Sequence, residues 1–430
     1  ISRVFGCLMT VMSLLTFVAM VAAPAVLYIY APGFHNDPEK FDLAVDMFRL
    51  TIPYLLFMSL TAFASSILNS YGSFSTPAFA PVLLNITMIA GAWWLTPYMA
   101  EPIMALGWAV VVAGILQLVI QIPELWRKNL LIPPKIDFKH EGVDRIMKLM
   151  LPALFGVSVT QINLLLNTIW ASFMQDGSVS WLYSAERMTE LPLGLIGVAI
   201  GTVILPSLSA RHAEQDQSKF RGMIDWAAKV IMLVGVPASI ALFMLSTPII
   251  QALFQRGQFT VEDTQMTAMA LQCMSAGVIS FMLIKVFAPG FYAQQDTKTP
   301  VRVGLMAVAA NAILNVIFIG FFKLIDWQAE HMALALASSG SALVNAGMLY
   351  FYLHKRDIYR FGAHWKKLFL QFALANITMI AALWYALSWY NGDASQWIRI
   401  LEVVGLCVIG VIAYAVGLLI TGFKPRDLKP

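Results

Sequence analysis

Long apolar segments alternate with short polar connections along the chain. A helix needs about 20 predominantly apolar residues to cross a bilayer, and twelve segments approach that length. They lie near residues 8–30, 50–71, 79–97, 103–122, 146–172, 179–209, 223–247, 265–292, 300–322, 332–352, 366–388 and 397–421. The pattern predicts an all-α polytopic membrane protein with twelve spans in this chain.

Two polar turns resemble each other and indicate an internal repeat. They read "LNSYGSFSTPAFAP" (68–81) and "FYAQQDTKTPVRVG" (291–304), and each restarts a helix at a Thr-Pro pair, where proline suits the first turn. Pro77 and Pro300 are 223 residues apart, and the same offset carries the first three spans close to later spans. The offset covers six spans, an even number, so we expect parallel repeats. Chance register between evenly spaced helices is the alternative.

The repeat predicts the domain organisation. A first lobe occupies residues 1–122 with four of six helices, 123–145 is a connection, 146–352 is a second six-helix lobe, and 353–430 holds two C-terminal helices. Counterparts of the spans at 146–172 and 179–209 would precede Ile1. We therefore expect about two further N-terminal helices, which gives fourteen spans in full.

Composition excludes several classes of function. The chain is 59% hydrophobic and 12% charged, against about 25% charged residues in ordinary soluble domains. The connection at 123–145 is too short to fold into a catalytic domain, so the function must reside in the helices. The three cysteines and six histidines form no metal-binding or redox motif. We predict no metal and no cofactor.

The basic residues predict the orientation. One side of the predicted topology carries 21 Lys and Arg residues and the other carries 5. Because positively charged loops stay in the cytoplasm, both ends of this chain should be cytoplasmic. The net charge of +4 then reflects topology and does not indicate nucleic-acid binding.

Three charged residues fall within one predicted span, in the stretch "YSAERMTELPLG" (183–194). A charge at mid-bilayer costs at least about 2.5–3.5 kcal/mol, so it usually faces a cavity or a partner. Arg187 lies about 12 Å below the external surface, and Glu186 and Glu190 share its edge of the helix. We expect both glutamates to hold the guanidinium while it binds an anionic substrate bidentately. An ion pair that only fixes helix packing is the alternative.

Other polar and turn-forming residues in the spans carry weaker signals. Lys285 lies about 12 Å from the nearer helix end and either snorkels to the surface or lines the cavity with Arg187. Pro192 and Gly194 predict a kink that serves as a hinge. Asn311 and Asn315 are four residues apart and form either an interhelical packing contact or a monovalent cation site.

Three motifs together carry a family resemblance. The segments "ERMTELPLGLIGVAIGTVILPSLSA" (186–210), "LFQRGQFT" (253–260) and "APGFYAQQDTKTPV" (288–301) closely resemble the MviN/MurJ family of lipid II flippases. The resemblance implies fourteen helices, with two lobes around a central cavity and a C-terminal pair forming a groove for the polyprenyl tail. It also implies that Arg187, with Glu190 and Glu186, engages the pyrophosphate. An aspartate of the sodium site in some family members is replaced here by Asn315, which puts sodium coupling in doubt.

The function that we expect is alternating-access transport of lipid II, the undecaprenyl-pyrophosphate-linked disaccharide-pentapeptide, from the cytoplasmic to the periplasmic leaflet of the bacterial inner membrane. The expected partners are lipid II and membrane lipids, with a monomeric protein and no nucleic acid. One alternative is a cation-coupled exporter of drugs or of other polyprenyl-linked oligosaccharides. An intramembrane glycosyl- or phosphotransferase is a second alternative, but it would need metal-binding carboxylates or a base near a membrane face, so we predict that the protein is not an enzyme.

Overall fold

The computed structural model describes residues 2–131, 133–327 and 329–424, except for the side chains of Leu149, 151–160 and Val198. The regular structure of these residues is helical. No strand occurs within these ranges. The α-helices are α1 (Ser2–Val21), α2 (Ala23–Tyr30), α3 (Pro38–Thr51), α4 (Pro53–Ser70), α5 (Ser75–Ala90), α6 (Met104–Val119), α7 (Ile122–Arg127), α8 (Glu141–Ser172), α9 (Ser178–Pro192), α10 (Ala199–Ala213), α11 (Gln217–Met244), α12 (Ser246–Phe254), α13 (Val261–Tyr292), α14 (Lys298–Leu324), α15 (Met332–Lys355), α16 (His364–Leu387) and α17 (Gln396–Ile420).

Eleven helical segments of the described residues are long and apolar enough to cross a membrane. The protein is therefore a multi-pass, all-α membrane protein, as the sequence predicts. The predicted span at 146–172 lies within α8, but the side chains of 151–160 lie outside the described part of the chain. The count of twelve stays a prediction.

The chain divides into two compact units, Ile1–Val157 and Ser158–Pro430. The division falls inside α8, so the second unit begins with the last part of that helix and contains α9 to α17.

Helix starts recur at the predicted repeat offset. α3 begins at Pro38 and α13 at Val261, and α5 begins at Ser75 and α14 at Lys298, so both pairs of starts are 223 residues apart. The boundaries of four helices thus agree with the offset read from the two Thr-Pro turns.

The predicted span at 50–71 lies in a longer helical segment than the sequence indicates. The apolar helical segment runs from Pro38 to Ser70 because α3 leads into α4 with only Ile52 between them. The Asp37 side chain caps α3 by accepting a hydrogen bond from the Lys40 amide. Hydropathy does not reveal α3 because this helix carries five charged residues, Glu39, Lys40, Asp42, Asp46 and Arg49.

The core of the second unit lies where α11, α13 and α15 meet. Phe220 and Ile224 from α11, Phe287 and Phe291 from α13, and Leu353 from α15 are all buried there in one apolar cluster. Small residues bring α13 and α15 close together, as is usual between helices in lipid. This packing holds α13 as the surface against which α9 lies.

The C-terminal pair, α16 and α17, packs through its own small residues. A Cβ on Gly417 would lie 2.7 Å from the Cα of Ala375, so the two backbones approach closely at this point. Trp365 and Phe372 are buried, whereas Trp384, Tyr385 and Trp389 are exposed. The exposed aromatic residues cluster near the end of α16, where interfacial anchors are common.

Asp296, in the connection between α13 and α14, joins that connection to the end of α15. It accepts hydrogen bonds from the Thr299 amide at 3.0 Å and from Arg356 Nη1 at 2.5 Å. Burial alone would raise the pKa of Asp296, but these hydrogen bonds and the charge of Arg356 lower it to about 2. Because the folded pKa lies below the usual value near 3.9, the ionised carboxylate stabilises the fold above about pH 4, and this stability is lost as the pH falls towards 2.

We expect Asp296→Asn to destabilise the protein by about 1 kcal/mol at pH 7, a figure reduced for solvent screening. The amide oxygen can still cap α14, so the loss reports the charged contact with Arg356 and not the cap. The measurement is thermal unfolding in detergent. The difference in stability between variant and wild type should fall to roughly half by pH 3. Asp393→Asn, at an exposed aspartate between α16 and α17, is the control. A difference in stability that does not change with pH would contradict the stabilising role of the Asp296 charge.

Candidate functional site

Helix α9 presents a polar face and packs its opposite face against α13. Ala185 and Met188 are buried in an apolar cluster with Ala268 and Leu271 of α13. Residues on the other side of a helix lie three or four positions apart. Tyr183, Arg187 and Glu190 follow this spacing and are exposed. The packing therefore fixes one side of α9 and leaves the charged side open.

Arg187 has two partners on this polar face. Its Nη1 donates to Glu190 Oε2 at 2.8 Å, and its guanidinium carbon lies 4.7 Å from the centroid of the Tyr183 ring. The side chains of Arg187 and Glu190 are about half exposed, at 53% and 51%. The guanidinium has five donors, and Glu190 occupies one. The arrangement holds the plane of Arg187 and keeps other donors available for an anion.

Glu186 precedes Arg187 directly in the chain and lies one helical turn before Glu190. No ion pair of the described residues includes Glu186, although the sequence predicts that both glutamates hold the guanidinium. Glu186 is half-buried, and its spacing of four residues from Glu190 places both on one side of the helix. The role predicted for Glu186 in holding Arg187 stays a prediction. The contact of Tyr183 with Arg187 was not predicted from the sequence, although their spacing of four residues on a helix indicates it.

Pro192 and Gly194 lie where the helix changes its hydrogen-bond pattern. α9 ends at Pro192, and a π-helical turn follows over Leu193–Val198 before α10 begins. Proline removes one backbone donor, and single π turns are frequent at functional sites. A Cβ on Gly194 would meet no described heavy atom within 4 Å. The segment therefore has a local irregularity and free space, as a hinge requires.

Lys285 lies on the exposed side of α13. Its neighbours Val286 and Phe287 are buried in the core, so the lysine side chain leaves the packed face of the helix. Within the described ranges it takes part in no ion pair. The cavity-lining role predicted for Lys285 stays a prediction.

Asn311 and Asn315 belong to a buried hydrogen-bonded cluster between α8, α14 and α15. Asn315 Nδ2 donates to Asn311 Oδ1 at 3.0 Å and to Asn167 Oδ1 at 3.3 Å, and Asn167 Nδ2 donates to Ser338 Oγ at 3.0 Å. The side-chain oxygens of Asn311 and Asn167 thus already accept hydrogen bonds. The described residues contain no group of three His, Cys, Asp or Glu able to hold a metal ion. These hydrogen bonds join α14 to α8, and the monovalent cation site stays a prediction.

Comparisons with known proteins agree with one another. A family model described as "Lipid II flippase MurJ" matches residues 1–405. The chain is 41% identical to a probable lipid II flippase MurJ of Haemophilus influenzae, over 100% of this chain and 85% of that protein. It is 37% identical to the lipid II flippase MurJ of Burkholderia cenocepacia, over 96% of this chain and 80% of that protein.

Two solved structures share the fold. A lipid II flippase MurJ in an inward closed conformation matches with a TM-score of 0.80 and 25% identity, over 99% of this chain and 84% of that chain. An inward-facing multidrug resistance transporter of the MATE family, in the MOP superfamily, matches with a TM-score of 0.65 and 13% identity, over 81% and 79%. The second likeness concerns the fold alone.

Proposed function

Because the chain belongs to the lipid II flippase MurJ family, we propose that it moves lipid II from the cytoplasmic to the periplasmic leaflet of the bacterial inner membrane. The protein is a transporter and not an enzyme. Its substrate is the undecaprenyl-pyrophosphate-linked disaccharide-pentapeptide. It works as a monomer among membrane lipids, binds no nucleic acid, and has both ends of this chain in the cytoplasm.

The exposed Arg187 of α9 carries this proposal. A pyrophosphate is a multivalent anion, and the planar guanidinium binds phosphate oxygens bidentately. Glu190 at 2.8 Å and the Tyr183 ring at 4.7 Å orient the guanidinium before substrate arrives. Glu190 also lowers the local positive field, which keeps the bound anion exchangeable. Lys285 contributes a second cation and Glu186 a polar contact to the same headgroup.

Pro192 and Gly194 supply the movement. The π-helical turn at Leu193–Val198 separates the charged helix α9 from α10, so a small change in backbone angles there can tilt Arg187 from one membrane side towards the other. Asn311 and Asn315 act as packing residues that hold α14 against α8 during this movement.

The test is made in cells whose own flippase is depleted. With this protein expressed from its own gene, lipid II accessible to a reagent outside the inner membrane should return to the level before depletion. No recovery, with the protein present in the membrane at its normal level, would contradict the proposal. A chemically altered lipid product formed by purified protein would instead support the transferase alternative.

A further inference from the structure

Asp225, near the start of α11, accepts hydrogen bonds from four side chains. Its Oδ1 accepts from the Tyr359 hydroxyl at 2.9 Å and from Trp365 Nε1 at 2.6 Å. Its Oδ2 lies 2.9 Å from Lys229 Nζ and 3.0 Å from His364 Nε2. Both oxygens of the carboxylate are therefore fully used.

Three of these partners belong to the junction between α15 and α16. Tyr359 lies in the connection that follows α15, and His364 and Trp365 are the first two residues of α16. The fourth, Lys229, is on α11 itself, one turn after Asp225. One carboxylate on α11 thus holds the beginning of the C-terminal helix pair.

On one side of the carboxylate the junction is buried and aromatic, whereas His364 on the other side is about half exposed. Trp365 and Tyr359 are buried, and their rings pack against Phe361 with centroids 4.7 and 5.5 Å away. The Asp225 side chain is only 15% exposed. Burial and the neighbouring carboxylate raise the pKa of Tyr359, so its hydroxyl remains a donor. A buried donor without an acceptor destabilises the fold. Loss of the Asp225 carboxylate would leave the buried donors of Tyr359 and Trp365 without an acceptor.

Further contacts hold the same junction and the rest of the pair. Arg221 of α11 donates to the Asp357 carbonyl at 2.5 Å. Further along, the Tyr414 hydroxyl of α17 donates to the Leu233 carbonyl of α11 at 2.8 Å. The contacts of α16 and α17 to α11 therefore continue from the junction into the middle of the helix.

We propose that Asp225 is a positioning residue for transport. It fastens α16 and α17 to α11, and translocation requires this helix pair and α11 to move as one body. The transport part of this inference rests on the proposed function, because it needs a transported lipid. The fastening part rests on the hydrogen bonds of Asp225 alone.

The test compares Asp225→Asn with Asp216→Asn in purified full-length protein. Asp216 caps the same helix and its side chain accepts from the Lys219 amide, a bond that asparagine can keep. Asp225→Asn points amide hydrogens at Lys229 and His364, so backbone hydrogen exchange in residues 357–366 should rise about tenfold. Translocation of lipid II should fall about tenfold while its binding stays within about twofold. Asp216→Asn should change none of these.

Two results would overturn the inference. If backbone hydrogen exchange in residues 357–366 is equal in Asp225→Asn and Asp216→Asn, Asp225 does not fasten the helix pair. If exchange rises in Asp225→Asn but translocation stays normal, translocation does not require the fastening. If Asp225→Asn does not fold, Tyr359→Phe removes one donor and should give the same pattern with a smaller rise. If even the wild type moves no lipid II, the proposed function fails, and the exchange comparison still decides the fastening.

Discussion

Replacing Arg187 by alanine in the protein's own gene should lower lipid II translocation about 10- to 100-fold, the range expected for losing a hydrogen bond to a charged group. Arg187→Lys should lose most of the activity as well, because an ammonium group cannot bind phosphate through a planar fork. The measurement is externally accessible lipid II in depleted cells, normalised to the amount of protein in the membrane.

Arg211 provides a matched control for Arg187. It forms an ion pair with Glu214 at 2.9 Å with the same spacing of three residues, but it lies in the last turn of α10. Arg211→Ala therefore removes the same kind of pair away from the proposed site and should leave translocation unchanged. Equal losses in both variants, or no loss in Arg187→Ala, would contradict the role of Arg187.

Gly417→Val should destabilise the protein by about 1–3 kcal/mol, the usual cost of overpacking. The added Cβ would lie 2.7 Å from Ala375 Cα, a backbone atom that can move only if α16 and α17 separate. Thermal unfolding in detergent measures the effect.

Gly405→Val is the control, on the same helix α17. A Cβ on Gly405 would meet no heavy atom within 4 Å in the described part of the chain. This variant should unfold at nearly the wild-type temperature. If both variants have equal stability, the close approach of α16 and α17 does not hold the pair together.

Local spacing accounts for the features of the site that could be predicted. The distance of three residues between Arg187 and Glu190 is enough to predict their ion pair, and Pro192 indicates an irregular helix. The ion pair that the structure describes for Arg187 is with Glu190, and the part predicted for Glu186 stays a prediction. The π-helical turn at Leu193–Val198 could not be predicted, because a proline in a helix indicates an irregularity without fixing which one.

Contacts between distant residues could not be read from the sequence. Asp225 binds Tyr359 and Trp365, which are 134 and 140 residues away along the chain, and no periodicity links them. Hydropathy likewise identified the apolar helix α4 but not the polar helix α3 that leads into it. Apolar pattern thus predicts which segments cross the membrane, whereas polar contacts between helices become visible only in the structure.

The central claim is that this protein itself carries lipid II across a bilayer. The most direct measurement places purified protein in vesicles with labelled lipid II in one leaflet and follows the label that becomes accessible from the other side. We predict transfer well above that of protein-free vesicles, and little transfer with Arg187→Ala. Transfer no faster than in protein-free vesicles, with folded protein in the membrane, would contradict the claim.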